Sequence, residues 1–288
     1  MPNYSILLVS LIYAIIAIAS VSSGLAIPKV LEKRIYGGFI VPDSIVPYIV
    51  SLTSADGVGV GKCGGTLITP KHVLTAAHCV ISREEMVFPP QNITIGYNST
   101  DKDDQDTMQA TKVTLYPNAY VNGTLDMDLD IAIVEFSGFK TSVSASRVPI
   151  YDKQIEEGQA ILSLGWGITE ATVADRSELR GSLTILSSVD DCNNGTKSGL
   201  VDNGPVICAL GKSNVGKCIM SGDSGTGAAI NDNGQLKLAA INSQVSVAAG
   251  GLGCEDGTLN AFYIRPGYFV DFVAKKTGYS KDYLTGNE

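Results

Sequence analysis

From Pro47 onward the chain alternates short runs rich in β-branched residues with clusters of turn-forming ones. Runs of strand length lie at Tyr48–Thr53, Gly65–Ile68, Asn92–Tyr97, Gln109–Tyr116 and Ile131–Phe136. After a linker-like stretch from Gly138 to Gly158, a second set follows at Ala160–Gly165, Gly181–Ser187, Val206–Leu210, Thr226–Ile230, Lys237–Ser243 and Phe262–Arg265. Two groups of about six strands suggest two barrels, although no repeat in the sequence marks the division. Near the C-terminus the period changes. Phe269, Phe272 and Val273 stand at i, i+3 and i+4, which predicts a helix over Tyr268 to Lys276 with one apolar stripe, a brace for the strands.

The other apolar stretch is N-terminal. Ile6 to Val21 is broken only by Ser10, Tyr13 and Ser20 and is followed by Ser22, Ser23 and Gly24, which reads as a secretory signal peptide over residues 1–24. An uncleaved anchor is the competing reading, because the run is long for a signal core and no Lys or Arg precedes it. Composition narrows the function classes. With 44% hydrophobic residues the 288-residue chain can bury a large core, and a net charge of −8 with 17% charged residues argues against nucleic acid as a partner.

The chemistry gathers around Gly222-Asp223-Ser224-Gly225. A serine hydroxyl is a weak nucleophile at neutral pH, so it needs an imidazole to take its proton and a carboxylate to orient that imidazole. Thr75-Ala76-Ala77-His78-Cys79 supplies a histidine. Asp130-Ile131-Ala132-Ile133-Val134 supplies an acid at the mouth of an apolar strand, where Asp126 and Asp128 read as solvated turn residues and His72 as a bystander. These motifs, in the order His, Asp, Ser, resemble those of the chymotrypsin-family serine proteases. Leu164-Gly165-Trp166-Gly167 resembles that family's Gly-Trp-Gly segment, and the likeness spans residues 35 to about 277.

The resemblance implies an all-β fold of two six-stranded antiparallel β-barrels with a C-terminal helix, and a catalytic triad of His78, Asp130 and Ser224 in the cleft between the barrels. It also implies an oxyanion hole from the backbone N–H groups of Gly222 and Ser224. Lys33-Arg34-Ile35-Tyr36-Gly37-Gly38 resembles the family's activation site. By that likeness residues 25–34 are a propeptide, residues 35–288 the peptidase domain, and Ile35 the new N-terminus that pairs with Asp223. Residues 1–34 carry +2, so the mature chain would carry −10. Six cysteines allow fifteen pairings. The resemblance picks Cys63 with Cys79, Cys192 with Cys208, and Cys218 with Cys254.

Two features depart from the family pattern. Thr226 stands after Gly225 where a glycine is usual, and Cys218 stands six residues before Ser224, two more than usual, so that Ile219 to Ser221 contains an insertion. The specificity pocket is expected from Gly216, Lys217, Ser243, Val245 and Ala261. Trypsin-like enzymes floor this pocket with an aspartate. Here Gly216 takes that place, or Cys218 if one counts back from the nucleophile, so neither alignment supplies an acid; Lys217 beside it would repel a cation, while Val245 narrows the mouth and Ala261 limits depth. Resemblance to elastases then implies cleavage after small or medium apolar residues, with activation at Arg34 left to another protease.

The expected protein is thus a secreted, extracellular serine endopeptidase that acts on peptides or proteins. It needs a processing protease, has no stable membrane association, uses no cofactor or metal, and is monomeric by default. The alternative is a catalytically silent homologue that binds a protein partner. Sequons at Asn92, Asn98, Asn122 and Asn194 predict glycans. Asp101, Asp103, Asp104 and Asp106 crowd a loop that corresponds to the calcium loop of some trypsin relatives, but such an acidic turn is ordinarily only solvated.

Overall fold

In a computed structural model, the described residues are 38–287 apart from 56–58, 83, 85, 140–144, 168–176 and 196–198. The expected activation site at Lys33 to Gly37 and the signal segment lie outside them. The first strand set closes into a six-stranded antiparallel barrel. Its members are β2 (Ile49–Ala55), β3 (Val60–Thr69), β4 (His72–Thr75), β5 (Ile93–Tyr97), β6 (Asp106–Leu115) and β9 (Ala132–Phe136), in the order β2-β3-β4-β9-β6-β5. Closure leaves no open strand edge, and Leu52, Leu67, Ile68, Val73, Leu74, Ile93, Ile95 and Val134 are fully buried. Between β6 and β9 a small hairpin, β7 (Tyr120–Val121) and β8 (Thr124–Leu125), carries the Asn122-Gly123 turn, both residues having positive φ.

The second set forms a seven-stranded antiparallel sheet. It contains β10 (Ala160–Gly165), β11 (Arg180–Ile185), β12 (Val206–Ala209), β13 (Gly227–Asp232), β14 (Gln235–Val247) and β15 (Leu259–Ile264). The short β1 (Phe39–Ile40) joins its edge, giving the order β1-β11-β10-β13-β14-β15-β12. The predicted six strands are therefore present, and β1 adds a seventh by pairing Phe39 with Gly181 and Ile40 with Arg180. All three predicted disulfides are formed: Cys63–Cys79, Cys192–Cys208 and Cys218–Cys254. The second of these joins α1 (Val189–Gly195) to β12.

The C-terminal helix α2 (Val270–Thr277) buries the predicted stripe, Phe272 and Val273, with Phe269 in the turn before it. Tyr116, just past β6, meets Phe269 and Phe272 edge-on at 4.9 and 5.0 Å, so the helix braces the first barrel, and Gly278 in the left-handed region ends it. A further short helix, α3 (Lys281–Thr285), is capped by Ser280 and buries Leu284, whose carbonyl accepts from the Ile150 N–H. Among the described residues no helix is long and apolar enough to cross a membrane.

Candidate active site

Strand pairing brings the predicted histidine and aspartate together. β4 and β9 run antiparallel with Thr75 opposite Ala132, so the end of β4 lies beside the start of β9. His78 follows β4 on a short 3-10 turn (Ala77–Val80), and Asp130 follows another (Met127–Leu129) just before β9. The two side chains meet across that step. Asp130 is fully buried, and its Oδ1 accepts the His78 backbone N–H at 2.9 Å while its Oδ2 lies 2.8 Å from His78 Nδ1. From the second sheet, Ser243 Oγ donates to the same Oδ2 at 2.5 Å.

This network sets the electrostatics. Burial alone would raise the Asp130 carboxyl pKa, but the His78 ring contact and the Ser243 hydroxyl hold it below its ordinary value. An ionised Asp130 requires the proton on His78 Nδ1. The Nε2 lone pair is then free to accept a proton. The Cys63–Cys79 disulfide lies against this ring, its two sulfurs and a ring nitrogen within 4.8 Å of one another. Oxidised sulfurs offer no thiolate, so the group is not a metal site.

Ser224 stands in the turn before β13 of the second sheet but is held by the first. Its carbonyl accepts the Gly64 N–H of β3 at 2.8 Å, and the following Gly225 N–H donates to Asn242 O at 2.8 Å. Gly225 has φ +76°, and a side chain there would strike Thr75 Oγ1 and the Gly64 carbonyl, so the two sheets close directly on this glycine. Thr226, the first departure from the family pattern, is accommodated because the facing residue is Gly64, where any Cβ would collide with the threonine hydroxyl. Among the described residues the backbone N–H groups of Gly222 and Ser224 have no hydrogen-bond partner, which leaves both as donors for an incoming oxygen.

Asp223 points the other way, into the interior. Its carboxylate accepts Gly167 N–H on Oδ1 and Met220 N–H on Oδ2, both at 2.6 Å. The carboxyl fills the space in which side chains at Gly165 or Gly167 would sit, and this explains the Gly-Trp-Gly spacing. Between the two glycines, Trp166 is buried and its indole donates to Thr100 O at 2.8 Å. Burial drives the Asp223 carboxyl up to about 7, the two backbone hydrogen bonds only partly opposing it.

A cleft of about 110 Å³ contains Ser224, with Ile219, Met220 and Ser221 on one segment and Ser243, Gln244 and Val245 on the other. Of the five residues expected around a specificity pocket, Ser243 and Val245 line this cleft. Gly216 and Lys217 lie instead on a turn fixed by Gly216 N–H to Cys254 O and Lys217 N–H to Asn214 O. Ala261 is buried in the core with Ile219, opposite Val245 on the neighbouring strand. Two contributions escaped sequence reasoning. These are the Ser243 hydrogen bond to Asp130 and the apolar wall that the inserted residues Ile219 and Met220 give the cleft.

The remaining candidates lie outside this arrangement. Asp101 caps a 3-10 turn by accepting the Asp103 N–H, and Asp106 accepts from the Asn98 amide at 2.7 Å, so two of the four acids in that loop are occupied as hydrogen-bond acceptors. His72 is buried, 2.7 Å from Thr69 Oγ1 and away from the triad. Asn122 is exposed at its hairpin tip, Asn92 is half-buried, and Asn194 falls in α1.

The Trypsin family model matches residues 35–273. The chain belongs to the trypsin family of serine proteases. Among curated trypsin-family relatives, it is 30% identical to Trypsin 5G1 of Aedes aegypti over 249 residues, 85% of each chain. It is 29% identical to Serine protease 1 of Rattus norvegicus over 276 residues, 95% of this chain and 99% of the relative. Among solved structures, a scabies mite inactivated protease paralogue superposes with a TM-score of 0.66 at 22% identity, covering 84% of this chain and 98% of the other. That likeness confirms the trypsin-like two-barrel fold.

Proposed function

We propose that this trypsin-family chain is a secreted serine endopeptidase, made as a precursor, cut after Arg34, and cleaving peptide bonds after small or medium apolar residues. The observation that carries the reading is the buried Asp130 carboxylate, which receives hydrogen bonds from the His78 backbone and ring and from Ser243. A carboxylate so satisfied fixes the imidazole tautomer that a general base needs. Ser224 Oγ attacks the substrate carbonyl carbon and its proton passes to His78 Nε2. The electron pair of the carbonyl moves onto oxygen, which the N–H groups of Gly222 and Ser224 stabilise. His78 then gives the proton to the departing amine and the C–N bond breaks, leaving an acyl-enzyme. Water, deprotonated by His78, attacks the acyl carbon; the bond from that carbon to Ser224 Oγ breaks, His78 returns the proton to Oγ, and the acid product leaves.

The apolar preference rests on Ile219, Met220 and Val245 around the Ser224 cleft, with no carboxylate lining it among the described residues. Such a pocket discriminates by only about 1–3 kcal/mol per methylene, so the preference is broad. Digestion of a peptide library by the chain matured at Arg34, with Ser224→Ala as control, tests the assignment. Ser224-dependent cuts after Ala, Val, Ile or Leu are expected, and cuts confined to Arg or Lys would refute it.

A second reading has its own observation. The inserted nucleophile loop turns Met220 N–H onto Asp223 Oδ2, and a loop held that way in the mature protein would leave a silent cleft that only binds a protein partner. Binding of peptides without turnover by matured, folded protein would favour it.

A further inference from the structure

Among the described residues, three strongly buried cations outside the active site receive different treatment from the fold. Arg180, 4% exposed, donates through Nη2 to Glu178 Oε2 at 3.0 Å. Lys237, 5% exposed, lies 3.4 Å from Asp232 and donates to Thr285 O at 3.0 Å. Arg265, 3% exposed, pairs with no carboxylate among the described residues. Among the described residues its Nη1 and Nη2 reach only carbonyls, Gly204 O at 3.3 Å and Lys153 O at 3.4 Å, and its Nε has no partner. Removing a charge from water without a counterion is costly, and burial accordingly pulls the Arg265 pKa down.

Arg265 lines a cavity of about 250 Å³ that shares no residue with the Ser224 cleft. At a water's share of about 30 Å³, the space holds several waters or a small organic molecule. Buried or half-buried Leu186, Leu200 and Ile207 give it apolar wall, while Glu156, Glu157 and Asp202 are exposed lining residues. We propose that the cavity binds a short aliphatic monocarboxylate, whose carboxylate completes the ion pair that Arg265 lacks and whose carbon chain lies against the apolar wall. The guanidinium offers planar, charge-assisted donors suited to a carboxylate. The three acidic lining residues select against multiply charged anions, which they repel more strongly.

Full-length Ser224→Ala chain, titrated with sodium butyrate at constant ionic strength and followed by calorimetry and thermal denaturation, tests the proposal without involving catalysis. One saturable site is expected. Arg265→Gln should weaken it at least about tenfold through loss of the charged hydrogen bonds. Glu157→Gln should tighten it about threefold by removing one like charge from the lining. Absence of a saturable site, or equal affinity in wild type and folded Arg265→Gln, overturns the assignment, since ordered water would then satisfy the cavity. If Arg265→Gln does not fold, the Glu157→Gln titration decides: a tighter site supports the proposal, and an unchanged one overturns it.

Discussion

Asp223 makes the stability of the uncut chain depend on pH in a calculable way. In the folded protein its carboxyl is raised from 3.8 to about 7 by burial, a lift worth about 4 kcal/mol. Because the folded state holds this proton more tightly than the unfolded state, stability is fully present below pH 4 and is lost as pH rises toward 7. Between pH 5 and pH 8 the loss comes to about 2–3 kcal/mol. The perturbation is Asp223→Asn in a chain kept uncut and inactive by Arg34→Gln and Ser224→Ala. The assay is urea denaturation at several pH values, read by the fluorescence of Trp166, the chain's single tryptophan. His72, whose burial lowers its pKa, acts oppositely by costing stability as pH falls below 6.5, but it is present in both proteins and cancels in their difference. The chain that keeps Asp223 should lose stability relative to the Asp223→Asn variant as pH rises from 5 to 8, and equal slopes would refute the reasoning. After cutting at Arg34, an Ile35 ammonium paired with Asp223 should abolish this loss.

Ser243→Ala removes one of the donors to Asp130, a charged hydrogen bond worth about 1.5–3 kcal/mol, so turnover of a small ester should fall about tenfold or more and Ser243→Thr should recover part of it; full activity in the alanine variant would contradict the role. Val245→Gly, at a cleft-lining position 43% exposed, should shift cleavage toward larger aromatic residues in a peptide library, and an unchanged profile would remove Val245 from the specificity site. Asn122 is exposed, whereas the Asn98 amide nitrogen already donates to Asp106. Glycosidase treatment of secreted protein should therefore show a gel-mobility step that Asn122→Gln removes and Asn98→Gln does not.

The legible parts of the sequence were those where spacing and geometry coincide. A residue three places past a strand and another one or two places before its partner strand are adjacent whenever the two strands pair, and this is the relation of His78 to Asp130 across β4 and β9. β4 itself went unread, because four residues from His72 to Thr75 are too few to show alternation. Strand faces were less legible than strand positions. β11 buries Ser182 and Thr184 and exposes Leu183 and Ile185, and of the two buried hydroxyls it is that of Thr184 that joins Ser163 and Tyr263 in a polar cluster: Ser163 Oγ lies 3.1 Å from Thr184 Oγ1 and 3.3 Å from Tyr263 OH, while Ser182 Oγ has no hydrogen-bond partner among the described residues. The cleft lining was hidden for another reason. Counting back along a loop with an insertion gives sequence position but not direction, and the turn that holds Gly216 and Lys217 by Cys254 and Asn214 leaves Ile219 and Met220 as the lining residues. Likewise nothing local to Ser243 reveals that it bonds an acid 113 residues away.

The central claim is that Ser224 is a nucleophile activated by His78 and Asp130. It is tested most directly by reacting the chain, cleaved after Arg34 and shown to be folded, with a fluorophosphonate probe, beside Ser224→Ala and His78→Ala. The account predicts one label per molecule on Ser224, absent from the first variant and slowed about 10²-fold or more in the second. Folded, cleaved protein that takes up no Ser224-dependent label would contradict it and leave a binding protein built on a protease fold.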